Sequence, residues 1–172
     1  GDLLAVPEQL DVLGQQARDV ERHAGALAGP GEAQEALDGA RDIMAEWISE
    51  NPESRKNVRE LFWKEGVIEA KVLKGKESEG AKYKDYFEWK EPISKTPSHR
   101  LLALRRGEKE SILALDIFPP EEGVINTLER QFIRKENAAA DQVRMAIKDS
   151  YKRLLRPSLE TEIRMESKIK AD

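Results

Sequence analysis

The sequence predicts a mainly α, multihelical fold, and three observations carry that prediction. The strong helix formers Ala, Leu, Glu, Lys and Arg make up much of a chain that is 39% hydrophobic and 36% charged, a composition suited to helices with wide solvated faces. Apolar residues recur three and four positions apart over long stretches, the spacing of one helix face. Gly-Pro and Asn-Pro breaks separate these stretches. A chain of 172 residues can bury about 70% of the surface it exposes when unfolded, so one domain over 1–172 is expected. It reads as a helix hairpin over 1–50, a helix with a glycine- and aromatic-rich middle over 51–120, and C-terminal helices over 121–172.

The first helix is expected from about Pro7, where Leu10, Leu13, Ala17, Val20, Ala24 and Leu27 step by 3, 4, 3, 4 and 3, a coiled-coil seam. Ala28-Gly29-Pro30-Gly31 breaks the chain. A second helix follows, with Ala33, Leu37, Ala40, Met44 and Trp47 or Ile48 on one face. Two amphipathic helices joined by so short a turn fold back as an antiparallel hairpin and bury each other's seams. Asn51 and Pro52 then suit the N-cap and first position of a third helix, which carries Val58, Leu61 and Phe62 and stops at Gly66.

The texture then changes. Val67, Ile68, Ala70, Val72 and Leu73 form a β-branched run, and Ile112 to Phe118 form another, ended by Pro119-Pro120. They predict a small two-stranded antiparallel element, residues 67–74 pairing with 111–118. Between them Ser98 is expected to cap a short helix through Leu104, ended by Gly107. Helices return over Glu121–Arg134, with Val124, Ile125, Leu128 and Phe132 inward, and after an Asn137 cap, with Val143, Ile147, Tyr151 and Leu154 or Leu155 inward. Pro157 is expected to break or kink that helix. A last helical pattern carries Leu159 and Ile163 to the end without a stop signal, which reads as a long helix continuing in a larger protein.

Charge is unevenly distributed. Residues 1–53 carry 12 acidic and 3 basic side chains, whereas residues 64–109 carry 12 basic and 8 acidic. A basic middle points to an anionic partner or to ordinary surface balancing. The chain has no cysteine, which excludes disulfides and thiolate metal sites. No apolar run approaches the roughly 18 residues of a membrane span, and Gly1-Asp2 begins without the basic start and apolar run of a signal peptide. No membrane partner and a cytoplasmic location are therefore expected.

Chemistry-bearing patterns are sparse. His23 lies beside the apolar seam, and neither it nor His99 stands in a metal-ligand spacing. His99 between Ser98 and Arg100 is poorly placed for a nucleophile–base pair and is expected to pin a turn through a backbone hydrogen bond. Gly75-Lys76-Glu77-Ser78 departs from a phosphate loop, because Ala70 stands where the first glycine belongs and Glu77 where Ser or Thr belongs. Paired carboxylates such as Glu77 with Glu79 or Glu121 with Glu122 have many equivalents among 33 acids. No catalytic residue, metal or cofactor is expected. An orphan hydrolase centred on Ser98 and His99 is the least supported reading.

The basic-aromatic middle has two readings. Lys71, Lys74, Lys76, Lys82, His99, Arg100, Arg105 and Arg106 form a candidate nucleic-acid-binding set, with Tyr83, Tyr86, Phe87 or Trp89 offering ring faces to bases. Alternatively the rings anchor a long loop on the helices, each burying roughly 150–250 Å². Glu77, Glu79, Asp85 and Glu88 dilute the positive field and favour anchoring.

The words Lys74-Gly75-Lys76-Glu77, Glu79-Gly80-Ala81-Lys82, Asp85-Tyr86-Phe87, Glu91-Pro92, Pro97-Ser98-His99-Arg100 and Arg106-Gly107-Glu108 together resemble the N-terminal region of the Tex family of bacterial transcription accessory proteins. Gly39-Ala40-Arg41-Asp42-Ile43, Trp63-Lys64-Glu65-Gly66 and Tyr151-Lys152-Arg153-Leu154-Leu155-Arg156-Pro157-Ser158 extend the resemblance over nearly the whole chain. Tyr83 and Trp89 stand where the resemblance leads one to expect Phe and Tyr. It implies a mostly helical, non-enzymatic segment of a long multidomain protein, with an RNase-H-like domain, helix-hairpin-helix modules and an S1 domain further on. It also implies nucleic acid, RNA or DNA, as partner of the full-length protein, with the transcription machinery and the other domains of the same chain as further partners. The expected role is that of a scaffold segment; a direct RNA- or DNA-binding module is the alternative.

Overall fold

The computed structural model describes residues 30–136 and 138–171. The expected first helix of the hairpin and the Asn137 cap lie outside the described residues. The helices are α1 (Pro30–Glu50), α2 (Pro52–Glu65), α3 (Ser98–Lys109), α4 (Glu121–Phe132), α5 (Ala138–Ser150) and α6 (Arg156–Ala171). The strands are β1 (Val67–Val72), β2 (Glu88–Pro92) and β3 (Leu113–Phe118). These residues pack as two compact units that are discontinuous in sequence, 30–57 with 122–157 and 58–121 with 158–171.

In the first unit α1 packs along α5. Leu37, Met44, Ala45 and Ile48 are buried on α1, and Ala140, Val143, Ala146 and Ile147 on α5. The buried Ser150 hydroxyl donates to the Ala45 carbonyl at 2.6 Å, so a polar group inside this core is satisfied. Val124, Ile125, Leu128 and Phe132 of α4 are buried as the periodicity predicts. Asn51 caps α2: its side-chain oxygen accepts from the Ser54 N–H at 3.0 Å. Gln131 of α4 donates to that same oxygen at 3.2 Å and to the Ser54 hydroxyl at 3.3 Å, tying the cap to a neighbouring helix.

Pro157 does not end the helix. Residues Tyr151–Leu155 widen into a π turn, in which the Arg156 N–H bonds to the Tyr151 carbonyl, and α6 continues through the proline. The wider turn immediately before it accommodates a ring that would clash with the carbonyl four residues back in a plain α-helix.

The second unit holds a sheet of three strands in the order β2-β1-β3, antiparallel throughout. The expected pair is present as Val67–Val72 with Leu113–Phe118, Ile68 opposite Ile117 and Ala70 opposite Leu115. β2 is an addition to the expected two strands. Glu88-Trp89-Lys90-Glu91-Pro92 has one large apolar residue, because an edge strand half in water needs no more. Ile68, Ala70, Leu113, Leu115 and Ile117 are buried on one face, while Lys71, Ala114, Asp116, Glu88 and Lys90 are exposed on the other. Leu104 of α3 and Leu159 and Ile163 of α6 are buried in this unit.

The start of α3 differs from expectation. Pro97 is its N-cap, Ser98 is its first residue and makes no capping bond, and the helix runs past Gly107 to Lys109. Gly107 is buried inside the helix rather than ending it.

Candidate nucleic-acid interface

The glycine-rich middle is built outward from the end of β1. Leu73 to Lys76 form a tight turn closed by the Lys76 N–H on the Leu73 carbonyl at 3.0 Å. Gly75 occupies its third position with φ +80°, which a side chain would strain. The chain then passes Gly80 and enters a short 3-10 helix, Ala81–Tyr86. Gly80 is buried, and a Cβ there would meet Ile112 Cγ2 at 2.1 Å and the Lys76 carbonyl oxygen at 3.0 Å. Gly107 serves the same approach from α3: its Cβ would lie 2.6 Å from Leu113 Cδ1 and 3.4 Å from the Tyr83 ring. Two missing side chains thus let the 3-10 segment lie close to α3 and β3.

Tyr83 is the anchor of that segment. Its ring is 5% exposed, whereas Tyr86, Phe87 and Trp89 are half-buried. The Tyr83 hydroxyl donates to Glu110 at 2.8 Å. Lys82 pairs with the same carboxylate at 3.1 Å, and its ammonium stands 5.1 Å from the Tyr83 ring centre. The hydrogen bonds from Tyr83 and then Lys82 hold the Glu110 carboxyl below its usual range. Burial, followed by the bond to Glu110, pushes the Tyr83 hydroxyl up. The bond to Glu110 also holds the Lys82 ammonium above its ordinary value.

A second cluster lies at the other end of α3. Arg100 reaches both oxygens of Glu91, at 2.8 and 2.7 Å, and its guanidinium stands 5.9 Å from the Trp89 ring centre. Tyr86 meets Trp89 edge to face at 5.7 Å. Arg100 is held above its usual range, chiefly by the bond to Glu91.

The eight candidate residues therefore do not form one surface. Lys74, Lys76, Lys82 and Arg106 gather at the end of the sheet where β1 finishes and β3 begins. His99 and Arg100 sit at the start of α3, ten and nine residues before Lys109. Lys71 projects from the face of the sheet opposite the buried one. Five of the eight are met by carboxylates: Lys71 by Glu69 at 3.6 Å, Lys76 by Glu79 at 3.0 Å, Lys82 by Glu110, Arg100 by Glu91, and Arg105 by Glu108 at 2.8 Å. Lys74, His99 and Arg106 are exposed and make no side-chain hydrogen bond or ion pair among the described residues. His99 thus pins no turn, contrary to expectation; Pro97 already sets how the chain enters α3.

No local pattern singles out Arg164, yet it joins three elements. It donates to Glu108 on α3 and to the Leu115 carbonyl on β3, and pairs with Glu160 one turn back at 3.1 Å. The Ile117 N–H donates to Glu160 at 3.3 Å. Leu115 and Ile117 point their main-chain groups away from β1, so these two α6 side chains satisfy the outer edge of the sheet. Among the described residues no three His, Asp or Glu side chains converge as a metal site, and no helix is long and apolar enough to cross a membrane.

These features define a mainly helical module with a small sheet and scattered basic side chains, most of them paired with carboxylates. The chain belongs to the Tex family: the family model described as Tex central region-like matches residues 17–172. It is 41% identical over 141 residues to the uncharacterized protein YdcI of Bacillus subtilis, covering 81% of this chain and 20% of that protein. It is 44% identical over 86 residues to Protein tex of Bordetella pertussis, covering 50% of this chain and 11% of that protein. A third relative, the transcriptional accessory protein Tex of Neisseria gonorrhoeae, is 41% identical over 104 residues, or 59% of this chain and 14% of that protein. The chain thus spans a fifth or less of the length of these relatives.

Proposed function

We propose that this chain is a non-enzymatic scaffold segment of a Tex-like transcription accessory protein acting in the cytoplasm. It holds the nucleic-acid-binding parts of the full-length protein in place through contacts with other domains of the same chain. The carboxylate partners of Lys71, Lys76, Lys82, Arg100 and Arg105 carry this reading. A cation already paired within the protein must give up that partner before it neutralises a phosphate, so its contribution to polyanion binding is reduced. The burial of Tyr83 supports it too, since a ring packed between α3 and the sheet is closed to a base.

A direct RNA- or DNA-binding module is the second reading, favoured by the gathering of Lys74, Lys76, Lys82 and Arg106 at one end of the sheet. Titration of the chain with single-stranded RNA and with duplex DNA at about 50 and about 200 mM salt separates the two. The scaffold reading predicts no measurable complex at either salt. A tight complex at low salt that weakens by orders of magnitude at the higher salt, and that Lys74→Ala with Arg106→Ala abolishes, would replace it with direct binding.

A further inference from the structure

α3 turns Leu101, Leu104 and Gly107 inward. His99, Leu102, Arg106 and Lys109 are exposed on its other side. At about 100° and 1.5 Å per residue the four lie within about 80° of arc, in a stripe about 15 Å long. Leu102 is 39% exposed, one turn from His99 and one turn from Arg106. No carboxylate interrupts the stripe, and those around it are engaged. Glu91 is held by Arg100, Glu108 by Arg105 and Arg164, and Glu110 by Tyr83 and Lys82. Arg106 feels Glu110 through space without pairing with it. His99, Arg106 and Lys109 make no side-chain hydrogen bond or ion pair among the described residues. The helix dipole favours cations in the last turn and accounts for Arg106 and Lys109 there. It does not account for Leu102 and His99, one and two turns before Arg106.

We propose that this outer stripe of α3 is the docking face for an acidic amphipathic helix, one with two carboxylates two turns apart and a large apolar side chain between them. The carboxylates meet Arg106 and the ring N–H of His99, the apolar side chain covers Leu102, and Lys109 extends the positive end. Charge complementarity sets the sign of the partner. Leu102 sets its kind: a phosphate backbone gains nothing from an apolar side chain between its contacts, and the stripe offers no ring on which a base could stack. Under the scaffold reading, on which this assignment rests, the stripe is where the segment meets another domain.

The probe is a synthetic helical peptide with Glu residues two turns apart and Leu between them, titrated into the isotope-labelled chain and followed by amide shifts. The same peptide with Gln for Glu is the control. The Glu peptide is expected to give saturable shifts centred on α3, and the Gln peptide none. His99→Gln with Arg106→Gln should weaken binding about tenfold, as loss of two exposed polar contacts does. Leu102→Ser should weaken it about fivefold through lost apolar contact. All three side chains are exposed, so melts of the variants should match the parent. Shifts that miss α3, equal binding of the Gln peptide, or binding indifferent to Leu102→Ser would overturn the proposal. Titration with single-stranded RNA keeps the two readings apart. RNA that moves the α3 amides would overturn both, whereas absence of binding by peptide and RNA alike would overturn the docking face and leave the scaffold reading standing.

Discussion

The hydroxyl of Tyr83 and the carboxylate of Glu110 are joined by a 2.8 Å hydrogen bond, one made by a ring that is itself buried. This bond ties the glycine-punctuated segment to the end of α3, so Tyr83 fixes the segment by packing and by polarity together. Tyr83→Ala is expected to lower stability by about 3 kcal/mol or more, and Tyr83→Phe by about 1 kcal/mol. Thermal or urea melts of both variants check the ranking; equal effects would mean that the ring does not pack.

Acid should reveal the same bond. Glu110 has its carboxyl depressed in the folded state, so its contribution is fully present above its unfolded value near 4.5 and is lost as pH falls through the lower folded value. Melting temperature recorded between about pH 6 and about pH 3 should fall less steeply in Tyr83→Phe and in Glu110→Gln than in the parent. The depression persists in part in Tyr83→Phe, because Lys82 still pairs with Glu110.

Glycine-to-alanine substitutions should differ in sign from site to site. Gly39 lies in α1 with nothing within 4 Å of where an added methyl would sit, and Gly39→Ala should stabilise by about 1 kcal/mol through helix propensity. Gly107→Ala gains the same propensity but forces Leu113 aside, at a cost of about 1–3 kcal/mol that outweighs it. Gly80→Ala should be worse still, because the backbone oxygen of Lys76 stands in the way as well as Ile112. Denaturant midpoints of the three variants test the order.

Arg164→Met should cost about 2–4 kcal/mol, since it leaves Glu108, Glu160 and the Leu115 carbonyl short of a half-buried donor. A double-mutant cycle with Glu108→Gln should give a non-zero coupling. Additive losses would show that the pair is incidental.

Asn51→Ala should cost about 1–2 kcal/mol, more than an isolated cap at the low end of that range, because Gln131 loses a partner along with the Ser54 N–H. Gln131→Ala in the Asn51→Ala background should then cost less than it does alone, measured by the same melts.

Much of this fold is legible in the sequence because it rests on local rules. The Asn51 cap, the stop at Gly66, the buried faces of α4 and α5 and the pairing of β1 with β3 all follow from neighbours in sequence. β2 is hidden because a charged edge strand shows no hydrophobic alternation. Gly107 reads as a helix end because glycine is frequent there, while its cause includes a side chain, Tyr83, 24 positions earlier. At the candidate interface the basic residues are visible but their carboxylate partners are not: Lys82 with Glu110 and Arg100 with Glu91 meet only after folding.

The wide turn at Tyr151–Leu155 acts on helical phase. Buried positions Val143, Ile147, Tyr151, Leu155, Leu159, Ile163 and Ser167 recur every four residues. On a plain α-helix each such step advances about 40°, so the stripe would wind well around the rod; one extra residue in a turn takes back about 100°. Deleting one residue from 151–155 would turn this stretch into a plain α-helix and leave Leu159 and Ile163 in their present phase, whereas keeping all five residues in a regular helix would swing both about 100° off the stripe; the turn is a place where the chain takes in an inserted residue without passing the shift on.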